Sequence, residues 1–445
     1  MSGADDVGIL ALEVYFPRTY VDQEDLEAFD KIAKGKYTKG LGQLRMAAFS
    51  DLEDVNSIAL TVVDRLMQKN AVDPRRVGRL EVGTETIVDK SKSSKTVLMQ
   101  LFTPTGNSNV EGLTTYNACY GGVQALFNTV AWVQSAAWDG RLGIVVCTDI
   151  ALYAKGPARA TGGGGAVACL IGPGATIVLD PLRASYFENT YDFYKPIPNS
   201  EYPIVAGHYS QECYMRAIAS CFDLLKQKLG VTQLEDLGDF FCFHTPYLKM
   251  AMKGFNRVVF EDLKANAGKK DRDERLRAIP NLSFKTHYAE VERYSRPLWR
   301  QRVVPGTLLC QNLGNLYTGS VFICLAALLC NERVELPNKR IMLFAYGSGL
   351  ASSMFRLTVK PNAQATLAQI RANNPIQHLL DSRVKLTPEE YTRRMDKRDE
   401  DYNKCNWLPG DSLEELADGT YYLLKVDEKW RRTYAKKAAA PAPRL

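Results

Sequence analysis

Two stretches half a chain apart constrain the fold more than any other feature. CYGGVQALFNTVAWVQSAAW leads into GRLGIVVCTDIALYAKG, and YTGSVFICLAALL leads into NKRIMLFAYGSGLASS. Each begins with small residues, continues as an almost uniformly apolar helical run, turns through polar residues and ends in an apolar strand closed by small ones. Val123, Leu126, Phe127, Val130 and Trp132 in the first run, and Val321, Ile323, Leu325 and Leu328 in the second, leave little polar face. A helix of that kind belongs inside a layered protein. The pair therefore predicts a duplicated architecture with one buried helix per half.

Further apolar runs, RLEVGTETI (79–87) and AVACLIG (166–172), read as buried strands, so the class is α/β. At 445 residues, 46% hydrophobic and 24% charged, the chain can bury a large core and is not disordered. A net charge of +6 is too mild for a nucleic-acid binder and suits an anionic small molecule. No apolar run reaches membrane-spanning length. The ten cysteines include no Cys-x-x-Cys pair and the four histidines no metal-binding spacing, which points to free thiols in a reducing compartment and to no metal site. Asp5 and Asp6 stand where a mitochondrial leader would carry arginine, so a cytoplasmic location is expected; the terminal Pro-Arg-Leu only distantly resembles a peroxisomal address. Mixed-sign charge over 260–281 and 386–405 predicts surface helices and loops, and AKKAAAPAPRL a solvated tail.

Three positions could carry chemistry. Cys119, in TTYNACYGG, stands at the start of a helix, whose partial positive end favours thiolate; it reads equally as a small core residue. Glu85 ends a buried strand, where desolvation suits a general base, or it caps a helix from a loop; Asp89 carries the same ambiguity. His244, in FCFHTPYLKM, is either a satisfied core histidine or part of a site, and Lys249 and Lys253 beyond it share a helix face. Lys90, Lys92 and Lys95 are solvated or face an anionic ligand. TGGGGAVACLIG (161–172) fits no nucleotide fingerprint and reads as a tight turn or as backbone approaching a ligand. GNLYTGS and AYGSG place Asn315, Tyr317, Ser320 and Ser348 in loops able to supply amide donors to an oxyanion.

Together these runs, with KYTKGLGQ, ENTYDFYKP and YYLLKVDEKWRRTY, resemble the eukaryotic type of the hydroxymethylglutaryl-CoA synthase family in the thiolase superfamily, over nearly the whole chain. The resemblance implies a thiolase-like five-layer α-β-α-β-α fold with two pseudo-duplicated halves: residues 1–175 with the nucleophile and base, 176–437 with family-specific insertions and the catalytic histidine, and a disordered tail over 438–445. It implies an acyltransferase in which Cys119 is the nucleophile, Glu85 the general acid/base and His244 the orienter of the second substrate. Tyr153, Asp89, Asp149, Asp192 and Phe193 would shape the acyl pocket. Coenzyme A and acyl contacts would fall at Lys34, Thr161, Ser210, Lys249, Lys253, Asn315 and Ser348, of which Lys34 and Ser210 fit the pattern least. The implied partners are acetyl-CoA, acetoacetyl-CoA and a second copy in a homodimer; the only coenzyme is the coenzyme A that the substrates carry. The product would serve the mevalonate and isoprenoid route. The competing readings are a ketoacyl synthase-like condensing enzyme, which would not use Glu85, a thiolase, for which Cys405 lacks the required Cys-x-Gly setting, and a non-catalytic binding protein of the same fold.

Overall fold

Strand Leu142–Ala151 shows why its sequence is apolar without interruption: Val145 and Cys147 point into one core while Ile144 and Val146 point into another. A strand alternates its side chains with period two, so a strand covered on both faces needs apolar residues at every position. In the second half Ile341, Leu343 and Ala345 share the first of these cores, and Met342, Phe344 and Tyr346 face a third.

The computed structural model describes residues 4–266 and 283–438. Nine strands, β1 (Gly8–Tyr15), β2 (Val77–Gly83), β3 (Thr114–Thr115), β4 (Leu142–Ala151), β5 (Gly163–Gly172), β6 (Ile177–Phe187), β7 (Phe240–Phe243), β8 (Arg340–Gly347) and β9 (Ala351–Val359), form a mixed sheet in the order β7-β8-β9-β6-β1-β5-β4-β2-β3. The pairing repeats. In the first half β2 is parallel to β4, β4 antiparallel to β5, and β5 antiparallel to β1; in the second β7, β8, β9 and β6 stand in the same relations. Among the described residues, the ladder joining the two sets is short, Gly8 with Val178 and Ile9 with Ile177, extended by the Leu179 amide donating to the Val7 carbonyl at 3.0 Å.

Helices α2 (Gly121–Val133) and α5 (Ser320–Leu329) fill the core between the sets, α1 (Val55–Lys69) covers the outside of the first, and α3 (Gly207–Leu229) and α4 (Leu248–Ala265) the outside of the second. The result is five layers, α-β-α-β-α, with the two apolar helices in the middle, as the sequence predicts. Every residue of α5 is buried, and each Leu, Ile, Val or Phe side chain there contributes about 1.5–3 kcal/mol by leaving water.

The chain leads into the two central helices in the same way. Cys119 lies two residues before α2 and Thr318 two before α5; the residues preceding them, Ala118 and Tyr317, have φ of 44° and 42°. A left-handed backbone is unfavourable for a residue with a Cβ and persists where its surroundings hold it. Each helix is therefore reached through a sharp elbow.

Some boundaries differ from the sequence reading. RLEVGTETI is a strand only to Gly83, because the chain then turns to deliver Thr84 and Glu85; α2 stops at Val133. The glycine run belongs to β5 itself. A Cβ on Gly163 would stand 2.2 Å from the Leu313 carbonyl oxygen, and the Asn315 amide donates to the Gly162 carbonyl at 3.3 Å. The backbone approaching there is the chain's own GNLYTGS loop. The charged run after 386 contains a surface helix, Pro388–Glu400, with Tyr391 and Arg394 turned inward. Most of the tail, and the charged run from 267, lie outside the described residues. No described helix is long and apolar enough to cross a membrane.

A Cβ on Gly122 would stand 2.5 Å from Cys147 Sγ and 2.7 Å from the Thr318 carbonyl oxygen. Gly122→Ala is expected to cost about 1–3 kcal/mol, read as a lower midpoint in denaturant unfolding; an unchanged midpoint would mean that α2 can shift freely against its neighbours.

Candidate active site

Glu85 leaves the carboxyl end of β2 and His244 the carboxyl end of β7, the corresponding strand of the other half. Ligand sites in open α/β sheets gather at such ends. The elbow before α2 brings Cys119 to the same place: its Sγ donates to Glu85 Oε2 at 3.3 Å. The second carboxylate oxygen, Oε1, takes Lys195 Nζ at 3.0 Å. The Glu85 side chain is 6% exposed and that of Lys195 21%. The ammonium lies over the rings of Tyr317, at 4.6 Å, and Phe193, at 5.9 Å, a geometry that favours a cation.

The resting cysteine is a thiol, contrary to the helix-dipole expectation. Burial, followed by the Glu85 charge 3.3 Å away, pushes its pKa well above the ordinary thiol value, and Lys195 opposes the shift only in part. Cys119 also precedes the helix by two residues rather than sitting in its first turn, and the dipole fades beyond that turn. What the geometry offers instead is a proton acceptor already hydrogen-bonded to the nucleophile.

Asp149 and Asp192, both fully buried, brace the site from behind and do not face open space. Asp149 accepts six hydrogen bonds: from the Thr84 hydroxyl (2.8 Å), the Glu85 amide (2.9 Å), the Thr86 amide (3.0 Å) and hydroxyl (2.9 Å), and the Thr318 amide (3.0 Å) and hydroxyl. Burial and the nearby Glu85 charge raise its pKa to about 6, against the pull of those donors. Asp192 accepts from Tyr346 OH (2.6 Å), the Gly349 amide (2.8 Å), Thr190 Oγ1 (3.2 Å) and Ser210 Oγ (3.4 Å). It thereby ties the segment carrying Phe193 and Lys195 to the AYGSG loop.

His244 is 3% exposed, and desolvation lowers its pKa to about 3. Its amide donates to the Phe344 carbonyl and its own carbonyl accepts Tyr214 OH, both at 2.7 Å. The imidazole lies nearly parallel to the Tyr346 ring, 6.4 Å between centroids. It is neutral at physiological pH, and so one ring nitrogen donates while the other accepts.

A cavity of about 500 Å³ opens beside Glu85, which lines it with Lys90, Asn117, Phe193, Lys195 and Ser348 among others. Tyr153 stands behind it, edge-on to Tyr317 at 6.2 Å, and Asn315 Nδ2 donates to the Tyr153 hydroxyl at 3.5 Å. Burial pushes the Tyr153 pKa up to about 12.

Other expected residues do not line this cavity. Asp89 is exposed and occupied with the amides of Ser91 (2.8 Å) and Lys92 (2.7 Å), which hold its pKa down. It faces a different cavity, because the loop turns outward after Ile87. Lys95 is buried and donates to the Val110 carbonyl, so it is neither solvated nor ligand-facing. Lys34 is exposed and paired with Glu24 at 2.8 Å, and the Thr161 hydroxyl donates to the Ala158 carbonyl at 2.7 Å. Lys249 and Lys253 stand in the first turns of α4; Lys253 Nζ meets Gln211 Oε1 at 2.9 Å and lines a larger cavity of about 1010 Å³. The sequence reading overlooked Lys195, Thr318 and Tyr346. The run ENTYDFYKP held a signal for the first, a lysine set among aromatics just before a proline.

Two outcomes are expected. Near neutral pH, iodoacetamide should modify Cys119 more slowly than a free thiol, because burial and the Glu85 charge hold it protonated; a rate equal to that of a free thiol would show that the cysteine rests as thiolate. By NMR, the His244 ring signal should stay at its neutral position from pH 8 to pH 5; titration near 6.5 would show that the imidazole is solvated.

Comparison with known proteins bears on this arrangement. The model of the hydroxymethylglutaryl-coenzyme A synthase N-terminal region matches residues 3–176, and that of the C-terminal region residues 177–437. The chain is 46% identical to the mitochondrial hydroxymethylglutaryl-CoA synthase of Mus musculus over 97% of its own length and 89% of that protein. To hydroxymethylglutaryl-CoA synthase erg13B of Aspergillus fumigatus it is 44% identical, over 97% and 99%; to the cytoplasmic enzyme of Gallus gallus, 44%, over 97% and 87%. Among solved structures, MvaS in complex with 3-hydroxy-3-methylglutaryl coenzyme A superposes with a TM-score of 0.84 at 30% identity, over 98% of this chain and 100% of that one. An HMG-CoA synthase complexed with CoA, at 24% identity and a TM-score of 0.76 over 97% and 100%, shares the fold. The five layers are those of the thiolase-like fold.

Proposed function

The chain belongs to the hydroxymethylglutaryl-CoA synthase family, and on that premise we propose how Cys119, Glu85 and His244 perform its reaction. The protein is an acyltransferase that condenses acetyl-CoA with acetoacetyl-CoA and water to give 3-hydroxy-3-methylglutaryl-CoA and CoA, a step of the mevalonate route. The observation that carries the mechanism is the hydrogen bond from Cys119 Sγ to Glu85 Oε2.

Cys119 attacks the acetyl carbonyl while its proton passes to Glu85 and on to the departing CoA sulfur, so Glu85 is again a carboxylate. The acetyl group stays a thioester, whose carbonyl acidifies the neighbouring methyl. Glu85 removes a methyl proton, and amides of the elbow and of the Ser348 loop meet the enolate oxygen. The enolate carbon attacks the ketone of acetoacetyl-CoA, with the neutral His244 imidazole donating to the ketone oxygen. Glu85 returns its proton to the new alkoxide, and water cleaves the enzyme thioester, freeing the Cys119 thiol. A ketoacyl synthase-like reading leaves Glu85 without a task; its contact with the thiol favours the present one.

Lys249 and Lys253 would meet coenzyme A phosphates as point charges, with Lys34, Thr161, Ser210 and Asn315 as further contacts. A homodimer is supported by the exposed apolar side chains of Leu113, Tyr116, Phe187 and Tyr191, which flank the edge strand β3 and the cavity mouth. For location, the cytoplasm suits ten free thiols; cell fractionation tests it against the mitochondrion.

With labelled acetyl-CoA, Cys119→Ala should take up no acetyl group. Glu85→Ala should still acetylate, more slowly for want of the acceptor of the thiol proton, and lose about 10²–10⁴-fold in condensation, the usual range for a general acid or base. Condensation at the native rate in Glu85→Ala, or acetylation persisting in Cys119→Ala, would sink the mechanism. Product mass separates it from other condensations.

A further inference from the structure

Lys195 sits in the segment between β6 and α3, on the far side of Glu85 from the nucleophile. Its place is fixed. The Thr190 amide donates to the Gly349 carbonyl at 2.7 Å, the Ala206 amide to the Asp192 carbonyl at 2.9 Å, and Phe193–Tyr194 pairs with Ile204–Val205. The aromatic faces of Tyr317 and Phe193 then leave its ammonium one near ionic contact, Glu85 Oε1 at 3.0 Å. The thiol holds the other oxygen, so the carboxylate is gripped from both sides.

Resting on the assignment of Glu85 as base, we propose that Lys195 is a positioning residue: it binds Oε1 so that Oε2 alone meets the thiol, the acetyl methyl and the alkoxide in turn, and it sets a positive charge beside that carboxylate. The need for a cation follows from the neighbours. Glu85 shares its surroundings with Asp149, and Lys195 also feels Glu201, a half-buried carboxyl lining the cavity that also feels the charges of Arg398 and Arg432 from the C-terminal part of the chain. Tyr153 and Tyr317, whose hydroxyls feel the Glu85 charge, are neutral, and Lys90 lines the cavity. Lys195 is the cation in contact with Glu85 among the described residues. An opposite charge within about 4–6 Å favours the ionised carboxylate by roughly one to three pKa units, and a like charge disfavours it. Without the ammonium, Glu85 would lose the positive charge beside it and the contact that fixes its rotation.

The test compares Lys195→Met and Lys195→Arg with Glu85→Ala. Lys195→Met should lower kcat about 100-fold, a loss of the order that general-base catalysis supplies, with KM for both CoA esters within a few-fold. Deuterium exchange into the methyl of the acetyl-enzyme should fall more than acetyl transfer does. The acid limb of the kcat profile should move up by about one pH unit or more. Lys195→Arg retains the charge and should restore the limb while recovering only part of kcat. An unmoved limb in Lys195→Met, or a limb displaced equally in Lys195→Arg, overturns the proposal. If Glu85→Ala is inactive in condensation while Lys195→Met keeps a native limb, only the role of Lys195 falls; if Glu85→Ala condenses normally, the base assignment falls with it.

Discussion

The site depends on one buried carboxylate. Asp149 gathers Thr84, Glu85 and Thr86 from the loop after β2 and Thr318 from the elbow before α5, so it joins the two halves at the point where the reacting groups stand. Burying a charge is costly unless donors surround it, and even with six of them its pKa stays at about 6. That residual cost is the physical sign that Asp149 serves position: a neutral side chain would sit there more comfortably but could not accept all six bonds. Glu85 is held by its own backbone amide, which leaves its carboxylate free for chemistry.

Around that joint the electrostatics are arranged for proton transfer rather than for a standing thiolate. Desolvation and the charges of Glu85 and Asp149 keep the half-buried Cys119 a thiol, and Lys195 offsets them in part. The nucleophile is activated at the moment of attack, by a base already in hydrogen-bond contact. His244, neutral because it is desolvated, adds no further positive charge; it can donate to a ketone oxygen without first losing a proton.

The layered fold was legible because its signals are local. Residues 121–133 and 320–329 are apolar on nearly every face, and β4 and β8 are apolar at both parities, so buried helices and doubly covered strands follow from counting positions. Cys119 and Glu85 were legible by their company in recognisable runs, not by their own chemistry, which left each ambiguous. The error about the thiolate arose because a helix start is visible in sequence, whereas a carboxylate arriving from a distant strand end is not. Lys195 escaped for the same reason: a lysine among tyrosines gains its meaning only when folding places Glu85 3.0 Å away. The glycine run likewise made sense only once the GNLYTGS loop was seen crossing it.

The matching elbows before α2 and α5 carry a consequence of another kind. The residues at the two bends have φ of 44° and 42°, yet one brings a cysteine to Glu85 and the other turns a threonine toward Asp149. Duplication supplied two equivalent bends, and the halves then diverged in labour: one bend became the workbench and the other its clamp. Changing Thr318 therefore acts on the chemistry at a distance, through the grip on the loop that delivers Glu85, so that the half without the nucleophile still governs how well the nucleophile is served.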